Sequence, residues 1–155
     1  EVMARPKWKQ RELHVDLYGE GRSTAVIERN IKALGIERVR VCGYEPDKRV
    51  IWGTHHAALF ASRMEGLSLA LLEAMAFGRP VIATIVGDAQ RFIRDGENGY
   101  LAAPGDADAL DAALERAWES RSAWPSMGTA AFETFARMQP TDPVQDLVQL
   151  LERPA

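Results

Sequence analysis

Short apolar runs alternate with longer amphipathic stretches along most of the chain. Several of the runs are apolar almost throughout, which is typical of β-strands that are covered on both faces. The intervening stretches carry apolar residues at helical spacing, as in 106–119, where Leu110, Leu114 and Trp118 form one stripe. The pattern predicts five strands, at residues 14–18, 38–42, 57–61, 80–85 and 100–103.

Capping and helix-breaking residues set the ends of the predicted helices. A helix that begins at Ser23 or Thr24 is ended by Gly35, and glycine and proline likewise follow an apolar helix at 66–77. Residues 1–9 have the pattern of the tail of a further helix. The remaining predicted helices are 88–94, 106–119, 126–138 and 143–151.

The order of these elements indicates a single α/β domain over residues 1–155. Strands that alternate with helices form parallel sheets with right-handed crossovers, so we predict a Rossmann-like parallel sheet of about five strands flanked by helices. Ligands bind such sheets at the carboxyl ends of the strands. A doubly wound sheet usually begins with a strand, whereas this chain begins with a helical tail. We therefore expect that a first strand is missing and that the chain is a fragment of a larger protein.

Composition and charge argue against several classes of function. The sequence has 19 Lys and Arg residues and 22 Asp and Glu residues, which gives a net charge of −3. This balance argues against a general nucleic-acid binder, because such a protein needs a basic surface. Cys42 is the only cysteine, so an internal disulfide is impossible and a reducing compartment is expected. No apolar run approaches the roughly 20 residues that span a bilayer, and no signal-peptide pattern is present. We expect a cytoplasmic protein, and peripheral contact with the inner face of the membrane stays open for a domain outside the chain.

Two glutamates bracket the start of the apolar helix that follows the third predicted strand. Glu65 lies in the loop, and Glu73 lies eight positions later, which corresponds to about 12 Å along a helix. Apolar residues flank Glu73 on both sides. An ionised carboxylate in such surroundings is costly unless a polar group meets it, so we expect one close to Glu73.

This arrangement suits a ligand with a diphosphate at its centre. Backbone amides and the dipole at the start of a helix hold phosphate groups, and Gly66 lets a ligand approach the backbone closely. The two carboxylates can accept hydrogen bonds from hydroxyl groups on either side of the phosphates. A nucleoside diphosphate sugar has this layout, with a ribose on one side and a hexose on the other.

Several ordered segments resemble the group 1 (family 4) retaining glycosyltransferases of the GT-B fold. The central segments are Glu-Gly-Leu-Ser at 65–68 and Glu-Ala-Met-Ala-Phe-Gly-Arg-Pro-Val-Ile-Ala-Thr at 73–84. Leu-Tyr-Gly-Glu-Gly at 17–21 and the strand and loop at 39–47 match upstream, and Ile-Arg-Asp-Gly-Glu-Asn-Gly-Tyr-Leu at 93–101 matches downstream. The resemblance covers most of the chain and implies the C-terminal, donor-binding domain of a two-domain enzyme.

The resemblance also implies a role for each candidate site residue. Glu65 would bind hydroxyls of the donor sugar near the reacting carbon, and Glu73 would bind the ribose hydroxyls. The implied reaction moves a sugar from a UDP- or GDP-sugar to an unknown acceptor with retention of configuration, in glycan or polysaccharide synthesis. No metal and no other cofactor is expected, because the helix dipole and basic side chains would neutralise the leaving diphosphate. The diphosphate would be held by the amides of Gly66, Leu67, Ser68 and Leu69, and the nucleobase would face Tyr44, Glu45 and Asp47 and the backbone between them.

The chain departs from the family pattern in three places. The Arg and Lys that usually follow the first strand and point at the phosphates have no counterpart, which should cost roughly 1.5–3 kcal/mol of phosphate affinity for each charge-assisted contact. The N-terminal acceptor-binding domain is expected to be missing, so this fragment alone should be inactive. Residues 85–88 are Ile-Val-Gly-Asp, where the family often has Asp-Val-Gly-Gly.

Two other functions stay open at this point. The first is a catalytically inactive nucleotide-sugar-binding module, which the missing basic pair favours. The second is a nucleotide-sugar epimerase built on twin α/β domains, which would alter the sugar without an acceptor. A dehydrogenase is disfavoured, since no Gly-x-Gly-x-x-Gly follows a predicted strand. A structural role is favoured over metal binding for His55 and His56, which have no third ligand nearby in the sequence.

Overall fold

The computed structural model describes residues 1–138, and strands and helices alternate through most of them. The strands are β1 (Val15–Tyr18), β2 (Val39–Gly43), β3 (Ala58–Phe60), β4 (Val81–Thr84) and β5 (Gly99–Ala102). The α-helices are α1 (Pro6–Gln10), α2 (Thr24–Ala33), α3 (Lys48–Thr54), α4 (Leu69–Ala76), α5 (Ala89–Phe92), α6 (Ala107–Glu119) and α7 (Trp124–Met138). Short 3₁₀ helices at Val2–Ala4 and Arg121–Ala123 precede α1 and α7. The predicted helix at 143–151 lies outside the described residues.

All strand pairs are parallel, which confirms the predicted α/β class. β1 pairs with β2, and β4 lies between β3 and β5, so the five strands form a two-stranded and a three-stranded sheet instead of one continuous sheet. Side chains connect β1 with the segment before β3. The Nε2 atom of His55 lies 3.2 Å from Oδ2 of Asp16, and the His55 ring packs edge-on against Tyr18 with 5.6 Å between ring centroids.

The two sheets differ in burial. Every residue of β4 is buried, whereas β1, β2 and α2 contain no buried residue. The expectation that several strands are covered on both faces agrees with the burial of β4, whereas β1 and β2 are more exposed. An apolar run shows that a strand has an apolar face, but it does not show how many layers pack against the sheet.

The main core lies between the three-stranded sheet and the helices α4 and α7. Met75 of α4, Val81 of β4 and Ala131 of α7 are fully buried in it. Gly128 brings α7 close to the end of α4, because a Cβ atom at this position would lie only 2.1 Å from the carbonyl oxygen of Gly78. This packing fixes the C-terminal end of α4, whose other end carries the candidate site.

A cluster of ion pairs attaches the N-terminal segment to α6. Trp8 is fully buried, and its indole N–H donates a hydrogen bond to Asp111. Lys7 lies 2.7 Å from a carboxylate oxygen of Asp111 and 2.8 Å from one of Glu115, and Arg11 lies 2.6 Å from Glu115. The basic side chains of Lys7 and Arg11 are therefore engaged with α6.

Two helices differ from the prediction. The apolar pattern does not predict α3, because seven residues are too few to show a helical stripe. The helix is capped by Asp47, whose carboxylate accepts a hydrogen bond from the Arg49 amide at 2.9 Å. α4 begins at Leu69 and not at Gly66, because Ser68 has an extended backbone with φ −78° and ψ 107°. The other predicted ends agree to within two residues. No helix within residues 1–138 is long and apolar enough to cross a membrane.

Candidate functional site

A crevice opens where β3 and β4 end and α4 begins. β3 and β4 are parallel neighbours, so the loops that follow them meet at the same edge of the sheet. The predicted site residues from Glu65 to Ser68 line this crevice together with a residue of the loop after β4, whereas Leu69 and Glu73 do not. The crevice is lined by Ser62, Glu65, Gly66, Leu67, Ser68 and Asp88, among others.

Hydrogen bonds from the end of β4 and from the loop after it fix the loop that carries Glu65. The buried hydroxyl of Thr84 donates to the carbonyl oxygen of Ser62 at 2.6 Å, and the amide of Asp88 donates to that of Gly66 at 3.1 Å. Gly87 lies between them with φ +52°, and a Cβ atom there would lie 1.8 Å from the Gly66 oxygen. Only glycine combines this backbone conformation with so close an approach.

Glu65 is exposed at the mouth of the crevice. The Ser62 hydroxyl donates a hydrogen bond of 3.0 Å to Oε1 of Glu65, which orients the carboxylate. A carboxylate accepts several hydrogen bonds, so Glu65 retains capacity for hydroxyl groups of a ligand.

The start of α4 lies beside the crevice and carries backbone N–H groups without an intrahelical partner. Ser68 is the N-cap residue but makes no side-chain cap hydrogen bond, and the first turn of α4 contains no acidic residue. The first N–H groups of a helix have no intrahelical partner and carry the positive end of the dipole. Because Leu67 and Leu69 are 48% and 69% exposed, this end of the helix is open to solvent.

Glu73 lies on α4 one turn after this opening. Its Oε2 atom lies 3.8 Å from Nζ of Lys48, and the side chains of Glu73 and Lys48 are 36% and 40% exposed. The prediction that a polar group meets Glu73 is thus confirmed. The carboxylate is less buried than its apolar neighbours in the sequence indicate, since the flanking Leu72 and Ala74 face the core on other sides of the helix.

The predicted nucleobase loop is shaped by its own carboxylates. Oε1 of Glu45 accepts a hydrogen bond from the Asp47 amide at 2.8 Å, and Asp47 caps α3. Hydrogen bonds from the side chain and the backbone of Arg49 lower the pKa of Asp47 below its ordinary value. The side chain of Tyr44 is left 67% exposed. Lys48 follows directly and connects this loop with Glu73.

Comparison with known proteins agrees with this geometry. Residues 2–120 match the family described as Glycosyl transferases group 1. The chain belongs to this family. Among the curated relatives of this group 1 glycosyltransferase chain, the lipopolysaccharide core biosynthesis glycosyltransferase LpsE of Rhizobium meliloti is 31% identical over 131 residues. The match covers 81% of the chain but only 38% of LpsE.

Two solved structures share the fold of this chain. HepE of Anabaena in complex with UDP superposes with a TM-score of 0.80 at 22% identity, over 97% of this chain and 43% of HepE. The pneumococcal O-GlcNAc transferase GtfA in complex with UDP and GlcNAc gives a TM-score of 0.79 at 24% identity, over 97% of this chain and 31% of GtfA. These likenesses show that the chain has the α/β fold of the matching part of GT-B glycosyltransferase structures.

Sequence reasoning missed three residues at or near the candidate site. Lys48 was missed together with α3, although the N-cap residue Asp47 followed by buried Ile51 is a signal that could have revealed the helix. Asp88 and Thr84 line the crevice only because β3 and β4 are neighbours in the sheet. No short sequence pattern reports such a contact.

His55 has the structural role that the sequence favours. Its Nδ1 atom lies 2.6 Å from the carbonyl oxygen of Ile51, and its Nε2 atom faces Asp16. No group of three or more His, Cys, Asp or Glu residues within 1–138 is arranged to hold a metal ion. Metal-independent chemistry stays a prediction.

Proposed function

We propose that the chain is the donor-binding domain of a retaining glycosyltransferase, which transfers a sugar from a UDP- or GDP-sugar to an acceptor in glycan or polysaccharide synthesis. Family membership supports glycosyl transfer. The observation that carries the donor assignment is the pair of accessible carboxylates on α4 and its preceding loop. Glu65 lies before the open start of the helix, and Glu73 lies one turn after it.

The diphosphate would rest against the open start of α4. The free N–H groups and the helix dipole both favour an anion at this end. The amides of Gly66, Leu67, Ser68 and Leu69 belong to the loop and to the first helical residue. A Cβ atom at Gly66 would meet no protein atom within 4 Å, so space for a ligand exists beside this backbone.

The nucleoside would lie on the Glu73 side of the phosphates. A carboxylate accepts hydrogen bonds from two neighbouring ribose hydroxyls, and Glu73 is accessible for this purpose. The nucleobase would then lie against Tyr44–Asp47, where the Glu45 and Asp47 carboxylates shape the loop and leave the Tyr44 ring and backbone groups for contact.

The donor sugar would lie on the Glu65 side, next to the reacting carbon. In the transfer, the bond between the anomeric carbon and the phosphate oxygen breaks, and a bond to the acceptor oxygen forms on the same face. The acceptor proton passes to an oxygen of the leaving diphosphate. Glu65 would hold the sugar hydroxyls beside this carbon, and no metal or other cofactor takes part in the proposed chemistry.

The acceptor would be bound largely by a second, N-terminal domain. The chain covers 38% of LpsE and 43% of HepE, so most of each of those proteins corresponds to nothing in this chain. We infer that the chain alone binds the donor without transferring it. We propose a cytoplasmic location for the complete enzyme, and contact with the inner face of the membrane stays open for the second domain.

Titration calorimetry with UDP, GDP and their sugar conjugates tests the proposal. Glu73→Gln should weaken binding of the free nucleotide about tenfold or more, because it removes charge-assisted hydrogen bonds to the ribose. Glu65→Gln should leave UDP binding within about twofold and weaken only the sugar conjugate, because the lost hydrogen bonds go to the sugar. Glu133→Gln on the exposed surface of α7 serves as the matched control.

A transfer assay, and not the titration, decides between the enzyme and an inactive binding module, because both would bind the donor. The ion pairs of Lys7 and Arg11 with acidic residues of α6 favour the module, because these two cations are then not available to bind phosphate. Transfer activity of the chain joined to an acceptor domain from a relative would exclude the module. If neither Glu65→Gln nor Glu73→Gln changes donor binding, the donor assignment is wrong.

A further inference from the structure

Lys48 is placed between the predicted nucleobase loop and the α4 helix. It is the first residue of α3, and its ammonium lies 3.8 Å from the Glu73 carboxylate. This distance is longer than a hydrogen bond, so the ion pair does not use the N–H donors of Lys48. Within residues 1–138 the Lys48 side chain makes no other ion pair or hydrogen bond. Its three donors therefore face solvent beside an acceptor that is also accessible.

Protein stability does not account for this placement. A cation in the first turn of a helix is opposed by the helix dipole, and Lys48 occupies that turn of α3. An ion pair whose two side chains are 40% and 36% exposed is screened by water and contributes little to folding. Removing the Lys48 charge should leave the fold intact, so that its effect on binding can be measured.

Helix geometry indicates that the ammonium can reach the start of α4. Glu73 follows Leu69 by four residues, which corresponds to about 6 Å along the helix axis. Side chains on a helix tilt toward its N-terminus, so the Glu73 carboxylate and its Lys48 partner lie closer to the first turn than the Glu73 backbone does. The four-carbon stem of lysine lets the ammonium move by several ångströms.

We propose that Lys48 is a specificity-determining residue that binds the phosphate next to the ribose while Glu73 binds the ribose hydroxyls. This inference rests on the proposed function. A carboxylate offers only acceptors and an ammonium only donors. A nucleotide presents hydroxyl donors on its ribose and an anionic acceptor on the adjoining 5′ carbon, so the Lys48–Glu73 pair matches both groups at once. The pair therefore selects nucleotides over nucleosides, and Lys48 supplies positive charge that the chain lacks at the usual basic positions.

The test compares uridine, UMP and UDP as ligands for the wild-type chain and for Lys48→Met, by ligand-observed NMR or calorimetry. Lys48→Met should weaken UMP and UDP binding about tenfold while changing uridine binding less than about twofold, because only the phosphorylated ligands lose a charge-assisted contact. Lys48→Arg keeps the charge and should retain most of the affinity. Lys32→Met, at an exposed position on α2, should bind all three ligands like the wild type. The guanosine series replaces the uridine series if the protein binds GDP and not UDP.

The results separate this inference from the proposed function. Equal losses for uridine, UMP and UDP would mean that Lys48 only orients Glu73, and unchanged binding would mean that it takes no part; either result overturns the inference. Failure of both Glu73→Gln and Glu65→Gln to weaken binding of the nucleotide sugar would instead overturn the proposed function. A circular dichroism spectrum and a melting temperature like those of the wild type confirm that Lys48→Met is folded.

Discussion

The amide of Asp88 donates a hydrogen bond to the carbonyl oxygen of Gly66 across a distance of 3.1 Å. This bond ties the loop after β4 to the loop that carries Glu65, although the two residues are 22 positions apart in the sequence. The position of the candidate catalytic carboxylate therefore depends on the conformation of residues 85–88.

Gly87→Ala should both destabilise the protein and displace Glu65. The backbone conformation at φ +52° costs a residue with a side chain about 1–3 kcal/mol, and the added methyl group would also collide with the Gly66 oxygen. Chemical denaturation measures the loss of unfolding free energy, and titration with a UDP-sugar measures the displacement.

Gly105→Ala is the matched control for this prediction. Gly105 has φ +72°, but a Cβ atom there would meet nothing within 4 Å, so the variant carries the backbone cost without the collision. A loss for Gly87→Ala no larger than that for Gly105→Ala would contradict the proposed contact with the Glu65 loop.

Thr84→Val should weaken binding of the sugar conjugate more than binding of the free nucleotide. The substitution keeps the shape of the side chain and removes the 2.6 Å hydrogen bond to the Ser62 carbonyl, leaving that oxygen unpaired at a cost of about 1–3 kcal/mol. The loop between Ser62 and Glu65 is then less well held. Thr129→Val at an exposed position of α7 should change neither stability nor binding by a measurable amount, and equal effects of the two variants would argue against this role.

Asn98→Ala should be strongly destabilising. Its fully buried amide donates to the Phe92 carbonyl at 3.0 Å and to the Thr134 hydroxyl at 3.2 Å, and accepts from the Arg94 amide at 2.8 Å. Removing it takes a hydrogen-bond partner from α5, from the loop that follows α5 and from α7, so we expect a loss of about 2–4 kcal/mol in urea unfolding. The exposed Asn30→Ala on α2 should stay within about 0.5 kcal/mol of the wild type.

Acid should weaken the attachment of the N-terminal segment to α6. Hydrogen bonds from Arg11 and then Lys7 lower the pKa of Glu115 from 4.5 to about 2. Because the folded-state pKa is the lower one, this stabilisation is complete above about pH 4.5 and is lost as the pH falls toward about 2.

Glu115→Gln tests this pH dependence. The difference in unfolding free energy between the wild type and Glu115→Gln should be constant above about pH 4.5 and should shrink as the pH falls toward 2. A difference that does not change over this range would show that the ion pairs of Glu115 do not set its titration.

Most of the fold could be predicted because the local apolar patterns agree with the alternating order of strands and helices in an α/β domain. The predicted bounds of the five strands agree with the structure to within one residue at every end, and the amphipathic stripe of α6 with its Asp106 cap predicts that helix directly. α3 was missed because it is short, and the split of the strands into two sheets depends on tertiary pairing that no local pattern encodes.

The candidate site was predictable only in part. The residues from Glu65 to Glu73 form one continuous segment, so their arrangement around the start of α4 follows from the chain itself. Thr84, Asp88 and Lys48 come from other segments, and their proximity depends on strand order and on a helix that lacks a clear pattern. The expected burial of Glu73 was overstated because apolar neighbours on a helix do not all share its face.

The unequal burial of the two sheets has a dynamic consequence. A segment with few buried side chains can open without unfolding the rest, so the backbone amides of β1, α2 and β2 should exchange their hydrogens for deuterium well before those of β4. The loop from Tyr44 to Asp47 directly follows β2 in this less protected part. Glu73 lies on α4, which packs against the more protected sheet. Nucleotide held between them would slow the exchange in β2 and thereby join two regions that otherwise fluctuate separately.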